Sequence, residues 1–171
     1  MLEVPLVVAI CFVCLGNICR SPTAEGIMAH LVRGASLEGR IHVDSAGTSA
    51  YHVGESADRR SRQIARERGV ELTSTARQFV RSDFSGFEYV VAMDRSNLKQ
   101  LQRLARARAE ADKLHLLRSF DPASSDDMDV PDPYYGGAGG FDRVFDICLA
   151  GCRGLLDHIV RVHIATGNER A

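Results

Sequence analysis

Leu6-Val7-Val8-Ala9-Ile10-Cys11-Phe12-Val13-Cys14-Leu15-Gly16-Asn17-Ile18-Cys19-Arg20-Ser21-Pro22 is the stretch that decides the fold. Leu6 to Val13 is apolar almost throughout, as a central parallel strand buried on both faces should be. Pro22 suits the first turn of a helix, where a missing N–H costs nothing. Strand, tight loop and helix N-terminus in that order aim backbone N–H groups at one centre and make an anion cradle. Cys14 stands at its base, and Arg20 follows six positions later.

Outward from this stretch, strands and helices alternate. Further strands are expected at Arg40–Ser45, Phe87–Ala92 and Lys113–Leu117, with helices after Pro22, near Asp58–Arg68 and after Asp94. Such alternation favours a parallel sheet covered on both faces. Asp58 is placed to cap a helix, and Gly69 stands where a left-handed terminating residue is wanted. Phe141, Phe145, Cys148, Cys152, Leu155, Leu156 and Ile159 recur at helical spacing and predict one long closing helix packed on the sheet. The expectation is a single α/β domain over residues 1–171, its central four-stranded sheet parallel, with a frayed tail after about residue 166.

The 171 residues are 45% apolar and carry a formal net charge of −1. No clustered basic stripe suggests nucleic acid, and no apolar run approaches the roughly 18 residues of a membrane span. Met1–Val13 lacks a basic leader and contains Glu3, so it reads as strand rather than as a secretory signal. The five cysteines form neither a disulfide ladder nor a tetrahedral zinc spacing, which points to a reducing, cytoplasmic setting. Cys11 and Cys14 match a CxxC spacing, but strand alternation should turn them to opposite faces. Cys148 and Cys152 share a helix face and read as core. His158 and His163 do not have a metal spacing and read as structural or solvent-facing, and no metal or cofactor is expected.

The loop chemistry is local. Inward N–H dipoles and the Arg20 guanidinium favour a thiolate at Cys14, and the same donors suit a phosphate dianion. Leu15, Gly16, Asn17, Ile18 and Cys19 supply the backbone of the cradle. Gly16 should let the chain turn and approach a ligand closely, Asn17 tolerates an unusual backbone conformation and can brace the loop, and Ser21 can donate its hydroxyl to the sulfur.

A leaving alkoxide or phenoxide needs a proton. The segment Ser119–Gly140 is too polar for core and too long for a plain connection, so it is a candidate source. Asp132 lies between Pro131 and Pro133 and before Tyr134-Tyr135, which can wall a slot for a flat substrate. Asp126, Asp127 and Asp129 are rivals without that rigid frame.

Val13-Cys14-Leu15-Gly16-Asn17-Ile18-Cys19-Arg20-Ser21-Pro22, Asp44-Ser45-Ala46-Gly47-Thr48, Ala76-Arg77-Gln78, Met93-Asp94-Arg95-Ser96-Asn97-Leu98 and Asp132-Pro133-Tyr134-Tyr135 together resemble the low-molecular-weight protein tyrosine phosphatases. The motifs run in order from about Leu6 to about Ile164. The resemblance implies hydrolysis of phosphotyrosine and small aryl phosphates through a phosphocysteine intermediate. Cys14 would be nucleophile, Arg20 phosphate binder, Asp132 acid and then base, and Ser21 the thiolate's helper. Asn17 and Ser45 would hold the loop, and Tyr51 would line the slot with Tyr134 and Tyr135. Cys19 would pair reversibly with Cys14 under oxidation. Phosphotyrosine proteins are the implied substrates, and a tyrosine kinase acting on Tyr134 or Tyr135 is an implied partner.

One departure stands out. Where some members carry histidine just before Ala-Arg-Gln, this chain has Ser74-Thr75, which leaves open how that side supports Asn17. Three rivals are weighed against the phosphatase reading. A thioredoxin-coupled arsenate reductase resembles the loop but needs two mid-chain cysteines, and none lies between Cys19 and Cys148. A protein arginine phosphatase resembles it with threonine in place of Ile18. A phosphotyrosine-binding module would lose the nucleophile or the acid.

Overall fold

Residues 5–137 and 139–165 are described in the computed structural model, so the tail after 166 lies outside the described residues. Four parallel strands lie in the order β2-β1-β3-β4: β1 Val8–Cys14, β2 Ile41–Gly47, β3 Tyr89–Ala92 and β4 Leu114–Leu116. β1 runs beside both β2 and β3, pairing Val13 with Ala46 on one side and with Ala92 on the other. The chain therefore leaves β1 for one neighbour and returns later to the other. That is the switch point at which open α/β sheets place ligands, beyond the carboxyl ends of the strands.

β1 shows why an unbroken apolar run was needed. Val8, Ile10, Phe12 and Cys14 enter one core, while Ala9, Cys11 and Val13 enter the other. Cys11 and Cys14 thus face opposite layers, as alternation requires. The first core is closed by α1 (Arg20–Gly34) and α5 (Gly140–Ile159), with α2 (Arg59–Glu67) beside them. The second is closed by α3 (Arg95–Leu104), through Leu98, Leu101 and Leu104, together with Phe79 and Phe84. A short α4 spans Arg108–Ala111.

The boundaries differ from sequence expectation for identifiable reasons. β1 starts at Val8 because Leu6 and Val7 are exposed ahead of the first pairing with Ile41, and it gains Cys14 through pairing with Gly47. Phe87 is buried but stands outside the β3 ladder, because apolarity reports burial rather than strand pairing. α1 begins at Arg20 instead of Pro22, and the Thr23 N–H closes the first turn onto the Cys19 carbonyl. Proline is tolerated inside that first turn because its N–H would have no helical partner there. Asp58 caps α2 by accepting from the Arg60 N–H, and Gly69 adopts a φ of 79°. The closing helix ends in a wider π-helical turn at Val160–Ile164.

The two histidines on this last segment are structural within the described residues. The Tyr89 hydroxyl lies 2.8 Å from His163 Nε2 and 3.1 Å from His158 Nε2. Tyr89 also packs on His115, whose ring meets Phe120. Cys148 and Cys152 are fully buried in the first core.

Candidate active site

The loop that forms the floor of the site follows the carboxyl end of β1. The loop after Cys14 is tied to β2 by Thr48 N–H to the Cys14 carbonyl (2.8 Å) and Ser49 N–H to the Leu15 carbonyl (3.0 Å). A Cβ on Gly47 would come within 2.8 Å of the Leu15 carbonyl oxygen, so this approach requires glycine. Within the loop it is Asn17, at φ 56°, that takes the left-handed conformation. Gly16 has no such φ. What its missing Cβ spares is contact with the His52 ring at 2.9 Å, which refines the role expected for it.

Asn17 is buried beneath the loop, and its orientation follows from its partners. The Arg77 backbone N–H can only donate, so Asn17 Oδ1 accepts it at 3.0 Å. Asn17 Nδ2 then donates to Ser21 Oγ at 2.8 Å and to Ser45 Oγ at 2.9 Å. Ser45 Oγ donates onward to Glu25 Oε2 at 2.9 Å. Ser21 Oγ, already accepting from Asn17, can turn its own proton to Cys14 Sγ, 3.0 Å away, or to the more distant Ala46 carbonyl at 3.4 Å. A directed chain thus runs from Asn17 to the sulfur. Burial pushes the Glu25 carboxyl above the usual carboxylate range, with hydrogen bonds from Ser45 and Ser74 pulling the other way. The side left open by Ser74-Thr75 is therefore filled by the Arg77 backbone and by Glu25.

Arg20 is buried at the start of α1, where its Nη1 donates to Asp94 Oδ2 at 2.6 Å and to the Val130 carbonyl at 3.1 Å. Burial lowers its pKa, but Cys14 and Asp94 outweigh that and leave it raised. Its Nη2 lies 3.7 Å from Asp132 Oδ2. Asp132 is fixed locally, since its Oδ1 accepts from the Tyr134 N–H at 3.0 Å and starts the short 3₁₀ turn Pro133–Tyr135.

A cleft of about 330 Å³ gathers Cys14, Leu15, Gly16, Ile18, Cys19 and Arg20 from the loop. Its rim is Tyr51, Asp132, Tyr134 and Tyr135, joined by His52. Asn17, Ser21 and Ser45 do not line it. The Asn17 side chain braces the loop from below, which leaves its backbone N–H as the part that belongs to the cradle. Asp126, Asp127 and Asp129 also lie elsewhere: Asp129 accepts from the Arg95 N–H and Asp127 faces Arg118. Sequence reasoning missed Glu25, Asp94 and His52 as site residues. Asp94 stood in the sequence as the residue before a helix and as part of the Met93–Leu98 motif, with no role of its own; it caps that helix, accepting from the Asn97 N–H. Cys19 is buried, and burial, with the Asp58 charge adding to it, pushes its thiol up to about 12. Among the described residues no group of three or more His, Cys, Asp or Glu side chains is arranged to hold a metal.

A thiol on the floor of a donor-lined loop, beside a guanidinium and a carboxyl, suits in-line attack on a bound phosphate ester. Such a loop at the switch point of a parallel sheet defines the class as the cysteine-dependent phosphatases. The profile described as low molecular weight phosphotyrosine protein phosphatase matches residues 9–164, and the chain belongs to that family. It is similar to a low molecular weight protein-tyrosine-phosphatase of Streptomyces coelicolor, at 47% identity over 86% of this chain and 90% of that one. A crystal structure of a protein tyrosine phosphatase from Entamoeba histolytica superposes with a TM-score of 0.86 at 39% identity, over 90% of this chain and 97% of that one. A Drosophila arginine phosphatase superposes at 0.80 and 36% identity, over 87% of this chain and 96% of that one.

Proposed function

We propose that the protein hydrolyses phosphotyrosine on proteins, and small aryl phosphates, without a metal. The observation that carries the reading is the convergence of Cys14, Arg20 and Asp132 in one cleft, with Ser21 Oγ 3.0 Å from the sulfur. The Cys14 thiolate attacks phosphorus while the P–O bond to the phenol breaks, and Asp132 in its acid form protonates the departing oxygen. Arg20 and the loop N–H groups of Leu15 to Arg20 hold the equatorial oxygens through the transfer. Asp132, now a carboxylate, then takes a proton from water as that water attacks the phosphocysteine. The P–S bond breaks, and the Ser21 hydroxyl steadies the returning thiolate.

Substrate choice rests on the walls. Tyr134 and Tyr135 stand with ring centroids 5.3 Å apart at 76°, and Tyr51 lines the same cleft. The branched hydrocarbon of Ile18 offers no hydrogen bond to a guanidinium, so a flat aryl ring fits this slot better than phosphoarginine. A catalytic thiol next to Cys19 works only when kept reduced, which supports a cytoplasmic site of action. No helix among the described residues is long and apolar enough to cross a membrane. Tyr135, 85% exposed, and Tyr134, 59% exposed, are accessible to a tyrosine kinase.

Turnover of p-nitrophenyl phosphate in EDTA, for wild type, Cys14→Ser and Asp132→Ala, tests the assignment. The expected result is metal-independent turnover that vanishes in the first variant and falls about 10²- to 10⁴-fold in the second. Activity surviving Cys14→Ser would refute the mechanism.

A further inference from the structure

We propose that the arginine-bearing face of α2 is a docking ledge for acidic residues flanking the phosphotyrosine of a protein substrate. This rests on the phosphotyrosine reading above and extends it to substrate class.

Three observations place the ledge beside the slot. The Asp58 N–H donates to the Ile18 carbonyl at 2.7 Å, so α2 starts directly against the phosphate loop. The Arg60 guanidinium carbon lies 5.7 Å from the centroid of the slot-lining Tyr134 ring and 4.5 Å from that of Phe141. Beyond Tyr134 an open cleft of about 450 Å³ is lined by Arg60, Gln63, Ile64 and Phe141, with Asp142, which faces Arg68 at 4.0 Å, as its one carboxylate among the described residues. Gln63 continues into a hollow of about 490 Å³ bounded otherwise by Arg59, Arg62 and Arg66.

The charge on this helix runs against the balance of the chain. Asp58–Arg68 holds five arginines against Asp58 and Glu67, in a protein whose formal net charge is −1. Two of the five are committed, Arg60 to Asp58 and Arg68 to Asp142 and Asp146. Arg66 meets Glu71 at 3.5 Å with both side chains about two-thirds exposed, a pairing that water screens heavily. Arg59 and Arg62 face no carboxylate at ion-pair distance among the described residues, and Arg62 Nε donates instead to the Ala57 carbonyl at 3.0 Å. Arg59 to Arg66 spans roughly 10 Å of helix, which an extended peptide covers in about three residues. A substrate chain leaving the slot over Tyr134 therefore meets three available guanidinium groups within a few residues, a complement to Asp and Glu side chains.

The test compares kcat/KM on phosphotyrosine peptides of equal length that carry either three acidic or three amide residues within three positions of the phosphotyrosine. Wild type, Arg59→Glu/Arg62→Glu and Arg59→Lys/Arg62→Lys are measured at low and high salt, with p-nitrophenyl phosphate as control. The expected wild-type preference for the acidic peptide is about tenfold at low salt and shrinks as salt rises. It disappears in the glutamate variant and is kept in the lysine variant, while p-nitrophenyl phosphate turnover stays within about twofold, in keeping with a change confined to rim charges. Equal turnover of both peptides, or an unchanged preference in the glutamate variant, would overturn the ledge alone. Turnover of p-nitrophenyl phosphate with neither peptide cleaved would overturn the phosphotyrosine reading and the ledge with it. Charge reversal that abolishes binding to phosphatidylserine vesicles while leaving peptide preference intact would assign the arginines to a membrane surface instead.

Discussion

Glu25 accepts the Ser45 hydroxyl at 2.9 Å and so closes, twenty residues away in sequence, the hydrogen-bond chain that holds Asn17 under the phosphate loop. Because Glu25 takes the Ser45 proton, Ser45 can only accept from Asn17, and Asn17 in turn is held with its second N–H on Ser21. Glu25→Ala should leave Ser45 without its buried acceptor, a loss of about 1–3 kcal/mol in stability. Turnover of p-nitrophenyl phosphate should fall several-fold in kcat with little change in KM, since Glu25 touches no substrate. Denaturant titration alongside steady-state kinetics checks both, and Glu25→Gln, which keeps a carbonyl acceptor, should recover most of each.

Asp94 binds Arg20 at 2.6 Å and caps α3 with its other oxygen. Asp94→Ala should free the guanidinium and remove a charged hydrogen bond worth about 1.5–3 kcal/mol. Inorganic phosphate should then inhibit about tenfold or more weakly, because each 1.4 kcal/mol is a factor of about ten. Unchanged phosphate inhibition would show that Arg20 is held well enough by the Val130 carbonyl alone.

Peroxide should convert Cys14 to its sulfenic acid, and Cys19 should attack that sulfur, forming the S–S bond as water departs. Burial, with Asp58 adding to it, pushes the Cys19 thiol up to about 12, so only a small fraction is thiolate at neutral pH. Closure should therefore accelerate by up to about tenfold per pH unit between roughly pH 7 and 9. Mass spectrometry after timed quenching follows it. Over-oxidised Cys14 beside free Cys19 at every pH would refute the pairing.

Burial lowers the pKa values of His115 and His158, with His158 adding to the effect on His115 and with Arg161 and His163 adding to that on His158. The unfolded chain then binds protons at about pH 6.5 that the fold resists. Stability from this cluster is present above that value and is lost as pH falls through the lower folded values. The urea midpoint should drop between about pH 7 and pH 5.5, and His115→Phe, still packed between Tyr89 and Phe120, should flatten that slope.

Much of the site was legible because its parts are adjacent in the chain. Cys14, Arg20 and Ser21 share one strand-loop-helix unit, and the two prolines flank Asp132, the aspartate that lines the cleft among the described residues. Tyr51, Tyr134 and Tyr135, distant from Cys14 in sequence, line the same cleft. Asp94 and Glu25 were hidden by chemistry that reads equally well as a helix cap and as a polar helix residue. The helix start at Arg20 was misplaced by two positions because proline is permitted throughout a first turn. Phe87 was read into a strand because apolarity signals burial and not pairing.

The sequence alone determined the parallel α/β class, the buried first strand and the thiol loop behind it, since these depend on local periodicity and on backbone chemistry within about fifteen residues. Only the tertiary structure decided that Glu25 supports the loop where Ser74 stands, that Asp94 anchors Arg20, and that α2 lies beside Tyr134. Those relations join segments twenty to more than seventy residues apart, and the strand order β2-β1-β3-β4, not any local pattern, brings them within hydrogen-bonding reach.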